Sequence, residues 1–345
     1  MNEMRTILEE SVSRLFADQL GWDRLTEIEQ SGFPDNLWDQ VTEQGIHLVL
    51  ANESAGGMEA GWGDAFVILR ACGRYAVPLP VAETILASHL ARSANANLPE
   101  GIPGLVLNGT KRAGDTLSLD RAVVPWGRRA DYLLAIVDDE VVIADNSGIA
   151  VTEANNIGLD PRDVLSGDTP IRSSHPCAGA ASELQYLGAL ARSSQIAGGA
   201  AAALDLATQY ASEREQFGRP LSKFQAIQHH LADLAGIVAS VDAISVAACE
   251  AYDARGINRG ARNARFEIAA AKCRASDGVE KITRLAHQVH GAIGFTYEYG
   301  LHFTTRRLWS WRAEFGGASE WGRCLGEIAV GQGGDQIWPW ITDTH

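Results

Sequence analysis

The chain has 345 residues, with 29 lysines and arginines against 43 aspartates and glutamates, a formal net charge of −14 and 46% apolar residues. Its length predicts two or three domains, and its acidic balance argues against a nucleic-acid-binding protein. We expect a cytoplasmic protein without a membrane span, because the sequence shows no signal-peptide core and no long apolar run, and its five scattered cysteines lack any C-x-x-C spacing.

The first hundred residues are predicted to form a helical domain. Ile7, Val12 and Phe16 belong to an apolar set that recurs at helical spacing, as one face of an amphipathic helix does. Further helices are predicted over Ala65–Tyr75 and Ala82–Arg92, with an extended, proline-containing connector between them. We therefore take residues 1 to 100 as an N-terminal helical domain.

The next segment, residues 101–177, changes to a β pattern. Short β-favouring runs, such as Tyr132–Val137 and Glu140–Ala144, are separated by turn pairs such as Asn108-Gly109. Several short strands with turn signals at close spacing predict a small antiparallel β-domain.

Residues 178–345 return to the helical period. From Phe224 to Ala248 the apolar residues step by three and four, as in a helix that packs against its neighbours in a bundle. The small residues of Ile196–Ala203 are expected to let a second helix approach closely. The fold class is thus mostly α with a small central antiparallel β-domain, and a C-terminal four-helix bundle.

Common site motifs are absent from the sequence. It has no P-loop, no nucleophile elbow and no G-x-G-x-x-G between a strand and a helix. His287 and His290 stand three apart but have no acidic or cysteine partner at a useful spacing, so we predict no metal site.

Two longer segments carry more specific information. In the first, Arg214 and Phe217 are predicted to close a helix that Gly218 ends, which is either a plain corner or a site for a phosphate or an adenine ring. In the second, Gln288 to Tyr299 reads as a glycine-containing loop whose backbone N–H groups could approach a ligand. Residue chemistry alone leaves both alternatives open for each segment.

Together these segments resemble the acyl-CoA dehydrogenase family. The stretches YASEREQFGRPLSKFQAIQHHLADLA and QVHGAIGFTYEYGLHFTTRRLW resemble its signatures, as does the N-terminal pattern from Leu37-Trp38 to Gly56-Gly57. The predicted order of helical domain, reduced β-domain and helical bundle is also that of the family. The resemblance implies FAD bound between subunits and the removal of two hydrogens from an acyl-CoA, with an electron-transferring flavoprotein as acceptor.

The resemblance also implies which residues contact the cofactor. The positions that match the family's cofactor contacts are Arg214, Phe217, Phe224, Gln225, Gln288, Gly291, Ala292 and, more loosely, Trp126. Most of these contacts reach the ADP end of a flavin held by a neighbouring subunit.

The catalytic base departs from the family pattern. Gly316 stands where most members carry the base glutamate, and Gly188-Ala189 stands where a minority carry it with an arginine. Glu314 and Glu183 are the nearest carboxylates to those two positions, and either would need a shifted backbone to serve. Glu320 lies at a position that is often acidic in the family and is near the cofactor there.

The middle domain departs as well, because it has no counterpart of the family's Thr-Glu-Pro-x-Ala-Gly-Ser loop. This pattern resembles the shorter, base-lacking subunit of heteromeric α2β2 bacterial acyl-CoA dehydrogenases, some of which act in steroid side-chain degradation. The leading hypothesis is therefore a subunit whose homologous partner supplies the glutamate. Two alternatives stay open: a self-sufficient homo-oligomeric enzyme with a displaced carboxylate, and a non-catalytic paralogue that binds flavin or acyl-CoA or acts as a scaffold.

Overall fold

The computed structural model describes residues 3–258, 260 and 262–342. Five helices come first, and they are α1 (Glu3–Gln19), α2 (Trp22–Ser31), α3 (Asp35–Glu43), α4 (Trp62–Arg74) and α5 (Val81–Ser93). The apolar face of α1 buries Val12 and Phe16. Helix α5 is buried on almost every side, because it lies between the C-terminal bundle and the first strand. It therefore connects the three parts of the chain.

The middle of the chain forms a seven-stranded sheet. Its strands are β1 (Pro103–Leu105), β2 (Thr110–Ala113), β3 (Thr116–Pro125), β4 (Tyr132–Val137), β5 (Glu140–Asp145), β6 (Ala150–Thr152) and β7 (Arg162–Pro176). The order is β1-β4-β5-β7-β3-β2, with β6 paired to β7. One pair, β1 with β4, is parallel and the other pairs are antiparallel. The sheet is therefore antiparallel, as predicted, except for the parallel β1–β4 pair at its edge.

The C-terminal part is a bundle of long helices. Its helices are α6 (Ala180–Glu213), α7 (Gln225–Arg255), α8 (Arg265–His290), α9 (Leu301–Ala313), α10 (Ala318–Gln332) and α11 (Ile337–Thr342). Helices α4 and α6 approach closely through glycine: a Cβ on Gly198 would lie 1.8 Å from the carbonyl oxygen of Arg70, and one on Gly73 would lie 1.9 Å from that of Gln195. The small residues of this stretch therefore permit the contact that the sequence predicts.

Among the described residues, α7 is long and apolar enough to cross a membrane, judged by length and composition alone. The sequence predicts no membrane span, because no apolar run in it approaches the length needed to cross a bilayer. In the structure Leu234, Val238 and Val241 of this helix are buried, and α7 packs along α6 and α8.

A small hairpin joins α6 to α7, in place of the helical corner predicted there. Its strands are β8 (Glu215–Gln216) and β9 (Arg219–Pro220). Helix α6 ends at Glu213, and Arg214 is already extended with φ −77° and ψ 121°. The prediction that Arg214 and Phe217 close the helix is therefore wrong.

Candidate functional site

The hairpin between α6 and α7 projects from the end of the bundle. Phe217 forms its tip with φ +53° and Gly218 follows with φ +76°, so two left-handed residues make the turn. The Phe217 ring is 93% exposed and Arg214 at the hairpin base is also exposed. An exposed aromatic ring and a guanidinium on one projecting arm are suited to contact a ligand or chain outside this subunit.

The start of α7 supports this arm. The guanidinium carbon of Arg219 lies 4.2 Å from the centroid of the Phe224 ring, and the Phe217 and Phe224 rings meet edge to face at 6.2 Å. Phe224 is the extended residue that precedes α7, and Gln225 is its exposed first residue. The four predicted contact residues of this segment thus lie on one short arm.

The second predicted segment begins inside a helix. Gln288 lies in the last turn of α8, which corrects the prediction of a loop from this residue onward. The loop forms one residue after the helix ends: Gly291 has φ +64°, and no atom lies within 4 Å of where its Cβ would be. Gln288 and Gly291 line an open cleft of about 790 Å³ between α8 and α9, whereas Ala292 lies beside it in a 3₁₀ turn.

The two predicted segments meet at the same end of the bundle. The ring of Tyr210, one turn before Arg214, stacks on His290 with centroids 4.8 Å apart and planes at 20°. His290 immediately precedes Gly291, and the Tyr299 hydroxyl donates to the carbonyl of Leu206 on α6 at 3.3 Å. The structure therefore places the arm and the α8 terminus side by side.

Trp126 lies elsewhere. Its ring is 6% exposed and packs edge to face on Phe33 of the N-terminal domain at 5.7 Å. It also lines a cavity of about 380 Å³ together with Pro161 and Arg307. These contacts join Trp126 to the N-terminal helices and not to the arm, so its flavin role stays a prediction.

The two positions at which the resemblance places a base, Gly188 and Gly316, are brought near each other by Phe315, which precedes Gly316. Phe315 lies on Gly188 so closely that a Cβ on the glycine would be 2.3 Å from ring carbons Cδ1 and Cε1. The Phe315 carbonyl accepts hydrogen bonds from Gln185 Nε2 at 3.1 Å and Trp321 Nε1 at 2.8 Å. These bonds fix the turn at Phe315 and Gly316, which have φ of +55° and +89°.

Glu314, the first alternative base, is held in a buried ionic cluster. Its carboxylate accepts from Arg162 at 2.9 and 3.0 Å, from Arg192 at 2.7 Å and from Asn156 at 3.1 Å. Burial alone would raise the Glu314 pKa, but the two guanidinium charges and these hydrogen bonds outweigh it and lower the pKa to about 2. So acidic a carboxylate, with its oxygens already bonded, is poorly suited to accept a proton.

Arg192 continues this cluster towards the N-terminal domain. It is 2% exposed and donates to Glu83 of α5 as well as to Gln195. The cluster therefore joins α5, the β-domain and the bundle through Glu83, Arg162, Arg192 and Glu314. Sequence analysis missed it, although a lone charge within the apolar or small-residue runs of α5 and α6 was a signal that each needed a buried partner.

Glu183, the second alternative base, faces a different cleft. Its carboxylate accepts a hydrogen bond from the Tyr252 hydroxyl at 2.5 Å and lies 3.4 Å from His89 Nε2. This cleft, of about 610 Å³, lies between α4, α5 and the ends of α6 and α7. Five residues of helix separate Glu183 from Gly188, which is about 7.5 Å along the axis and a different helix face.

Two further predicted features can be located. Glu320 lies beside the Gly316 turn: a Cβ on Gly316 would be 2.9 Å from Glu320 Oε2. His287 stacks on Phe295 at 4.2 Å, and His290 points elsewhere, onto Tyr210. Within the described ranges, no group of three or more histidine, cysteine, aspartate or glutamate side chains could hold a metal ion.

The β-domain contacts helix α9 of the bundle directly. The backbone N–H of Gly158 donates to Ser310 Oγ at 2.9 Å, and Asp160 pairs with Arg307 at 2.9 Å, both groups being buried. A Cβ on Gly158 would lie 2.9 Å from Arg307 Cγ. Protein atoms therefore fill this part of the interface between the two domains.

Comparisons with known proteins agree with this architecture. Residues 180–323 match the family model described as the acyl-CoA dehydrogenase C-terminal domain. The acyl-CoA dehydrogenase IpdE2 of Mycolicibacterium smegmatis is 29% identical over 317 residues, which cover 89% of this chain and 93% of that protein.

Solved structures share the whole fold. A variant of the Tcur3481–Tcur3483 steroid ACAD is similar with a TM-score of 0.85 and 25% identity, over 95% of this chain and 98% of that one. The ChsE4–ChsE5 complex from Mycobacterium tuberculosis has a similar chain, with a TM-score of 0.85 and 22% identity over 96% of this chain and 98% of that one. The mostly helical fold with a central sheet is thus confirmed, and residues 180–323 belong to the acyl-CoA dehydrogenase C-terminal domain family.

Proposed function

We propose that this chain is one subunit of a heteromeric, FAD-dependent acyl-CoA dehydrogenase, and that a homologous partner supplies the catalytic glutamate. One observation carries the proposal: both base positions are glycine, and the Phe315 ring takes the space that a side chain at position 188 would need. A general base must reach hydrogen-bond distance of the proton that it removes. The nearest carboxylate along the chain, Glu314, is bonded to Arg162 and Arg192 instead.

The projecting arm offers groups that suit the ADP end of the cofactor. The exposed Arg214 and Phe217, with Gln225 behind them, offer a cation, a ring and an amide to the ADP end of a flavin on the partner. Gln288 and the open backbone at Gly291 lie beside them, which suits close approach of a diphosphate. When bound, FAD supplies hydride acceptance from the β-carbon of the acyl chain.

The contribution of this chain is therefore positional. Arg214 would neutralise part of the diphosphate charge, and Phe217 would cover the ring at the adenine end and exclude water. The Tyr210–His290 stack would hold the arm in register with the α8 terminus. At the chain's own domain interface, by contrast, Gly158, Asp160 and the Glu314 cluster bring the β-domain into direct contact with the bundle, and we take this contact as support for a single flavin per pair of unlike subunits.

The self-sufficient alternative rests on Glu183, because Glu314 is sequestered. Glu183 does line an open cleft, but its carboxylate already accepts the Tyr252 hydroxyl and lies on the far side of Gly188 from the arm. The non-catalytic alternative would keep the arm and lose the partner's chemistry. The self-sufficient enzyme would turn over acyl-CoA without a partner, and the non-catalytic paralogue would not turn it over in any complex, so both differ from the heteromer.

For the substrate we propose an acyl-CoA thioester, with a steroid side-chain CoA as the first class to test. The support is the likeness to the Tcur3481–Tcur3483 steroid ACAD. We also propose an electron-transferring flavoprotein as acceptor, following the family, and a cytoplasmic location, which the five free cysteines suit.

The test is co-expression of this chain with a homologous acyl-CoA dehydrogenase that carries both the base glutamate and the Thr-Glu-Pro loop. The proposal predicts a co-purifying complex with bound FAD and acyl-CoA-dependent turnover. Replacing the partner's base glutamate by glutamine should abolish turnover while flavin stays bound. Turnover that survives this replacement, and disappears with Glu183→Gln, would favour the self-sufficient enzyme.

A further inference from the structure

A further cavity lies between the N-terminal helices and the sheet. It encloses about 370 Å³, and its walls are the loop over residues 47–55, one face of α5, the connector over residues 96–101, and Tyr132 on β4. None of the residues assigned above to flavin or to the base lines it. The cavity belongs to the size range of small-molecule sites.

Its polar lining presents hydrogen-bond donors. Tyr132 is 2% exposed, yet its hydroxyl forms no hydrogen bond with any residue that the structure describes. An unpaired hydroxyl in a buried wall is costly, so Tyr132 points to a polar occupant.

The hydroxyls on α5 do not compete for that role. Thr84 Oγ1 donates to the carbonyl of Pro80 at 2.8 Å, and Ser88 Oγ donates to the carbonyl of Thr84 at 2.8 Å. Their hydrogens are thus used within the helix. The side-chain donors of the lining that remain for a ligand are those of Tyr132, Asn52, Ser54, Asn97 and Arg92.

The cavity lining carries one arginine, Arg92, and one carboxylate, Glu100, and both side chains are exposed. Arg92 donates only a long hydrogen bond, 3.3 Å, to the carbonyl of Leu50, and within the described part of the chain it forms no ion pair. The inner walls carry the apolar side chains Leu48, Ala51, Ala55, Ala91, Ala96, Leu98 and Pro99.

From these features we infer a binding site for a small organic carboxylate with an aliphatic body. Arg92 would pair with the carboxylate, Tyr132 would donate to it or to a neighbouring oxygen, and the apolar wall would cover the body. At about 30 Å³ per water-sized group, the volume admits on the order of a dozen non-hydrogen atoms. The inference does not depend on the proposed dehydrogenase activity.

The experiment measures calorimetric binding of cyclohexanecarboxylate and of its uncharged amide to the full chain. The carboxylate should bind, with Arg92→Gln weakening it about tenfold or more and Glu100→Gln tightening it about twofold, whereas the amide should be insensitive to both. Asn97→Trp, at an exposed position on the rim, should block the cavity and abolish binding. Tyr132→Phe should weaken it severalfold.

Arg92 also lines the cleft that contains Glu183, so the location needs its own control. Loss of binding in Arg92→Gln with full binding in both Asn97→Trp and Tyr132→Phe would place the carboxylate in that other cleft and overturn the inference. Absence of any binding to the unaltered chain would overturn it as well. Unchanged melting temperatures of the variants would show that lost binding is not lost folding.

Discussion

The ring of Phe315 lies directly on Gly188, so that a Cβ on this glycine would be 2.3 Å from the ring. The contact joins the two places in the chain where relatives carry a base. Glycine is needed at position 188 because the ring takes the space of its side chain, and the ring is held by two hydrogen bonds to its own carbonyl.

This contact predicts the effect of adding a single methyl group. Gly188→Ala should lower the free energy of unfolding by about 1–3 kcal/mol, because the ring must move in a packed interior. Combining it with Phe315→Ala should cost less than the sum of the two single changes. Gly236→Ala is the matched control: this helical glycine has no atom within 4 Å of its Cβ position, so alanine should stabilise α7 by about 0.5–1 kcal/mol. Additive losses in chemical denaturation would contradict the contact.

Restoring a glutamate at the usual base position should not restore activity. Gly316→Glu places a side chain at φ +89°, with its Cβ 2.8 Å from Trp321 Nε1, so we expect a loss of about 1–3 kcal/mol in stability. The isolated variant should still fail to reduce flavin with any acyl-CoA. Flavin reduction by this variant alone would mean that a single glutamate at position 316 is enough to restore activity, which would contradict this prediction.

The Glu314 cluster makes the free energy of unfolding depend on pH. Its folded pKa of about 2 lies below the ordinary value of 4.5, so its contribution is complete above pH 4.5 and disappears as the pH falls towards 2. Two and a half pKa units correspond to about 3 kcal/mol. Glu314→Gln should therefore be less stable than the natural chain by about this amount at pH 7, and the difference should shrink towards pH 2. A difference that is constant with pH, while exposed Glu327→Gln has no effect, would refute the ionic account.

The arm should matter for flavin and not for folding. Arg214→Ala and Phe217→Ala should leave the melting temperature of the isolated chain unchanged, because both side chains are exposed. In the co-expressed complex each should weaken flavin retention about tenfold, measured by dialysis against increasing salt. Arg323→Ala, another exposed arginine, should do neither. Equal flavin retention in all three variants would remove the arm from the cofactor site.

The stack of Tyr210 on His290 should couple the arm to the α8 terminus. His290→Ala should destabilise the chain by about 1–3 kcal/mol, because a 3%-exposed ring that packs on a second ring is removed, and it should also weaken flavin retention in the complex. Tyr210→Phe keeps the stack and should be nearly silent in both assays. A Tyr210→Phe variant as impaired as His290→Ala would show that the hydroxyl, and not the stack, matters.

Much of this architecture was predictable from the sequence, because helix periodicity and turn pairs are local signals. Strands β4 and β5 appear within a residue of their predicted bounds, and helix α7 begins where predicted but continues past Ala248 to Arg255. Strand β7 was missed, since Arg162–Pro176 mixes polar residues, a glycine and two prolines. It is a strand because β3, β5 and β6 all pair with it.

The site was predictable only in part. The glycine at 316 and the arm residues could be read from the motifs, but the Phe315–Gly188 contact joins residues more than a hundred positions apart, and no local pattern signals it. The hairpin that replaces the predicted helix end at Arg214 depends on the left-handed turn at Phe217 and Gly218. The domain boundaries at 100 and 177 and the cofactor roles stay predictions.

The central claim is that this chain holds no base of its own. An anaerobic titration of the isolated chain, mixed with FAD, against a panel of acyl-CoAs and followed by visible flavin absorption tests it most directly. The account predicts that the flavin band never bleaches, and that it bleaches once the homologous partner is present. Bleaching of flavin by the isolated chain with any acyl-CoA would contradict the account.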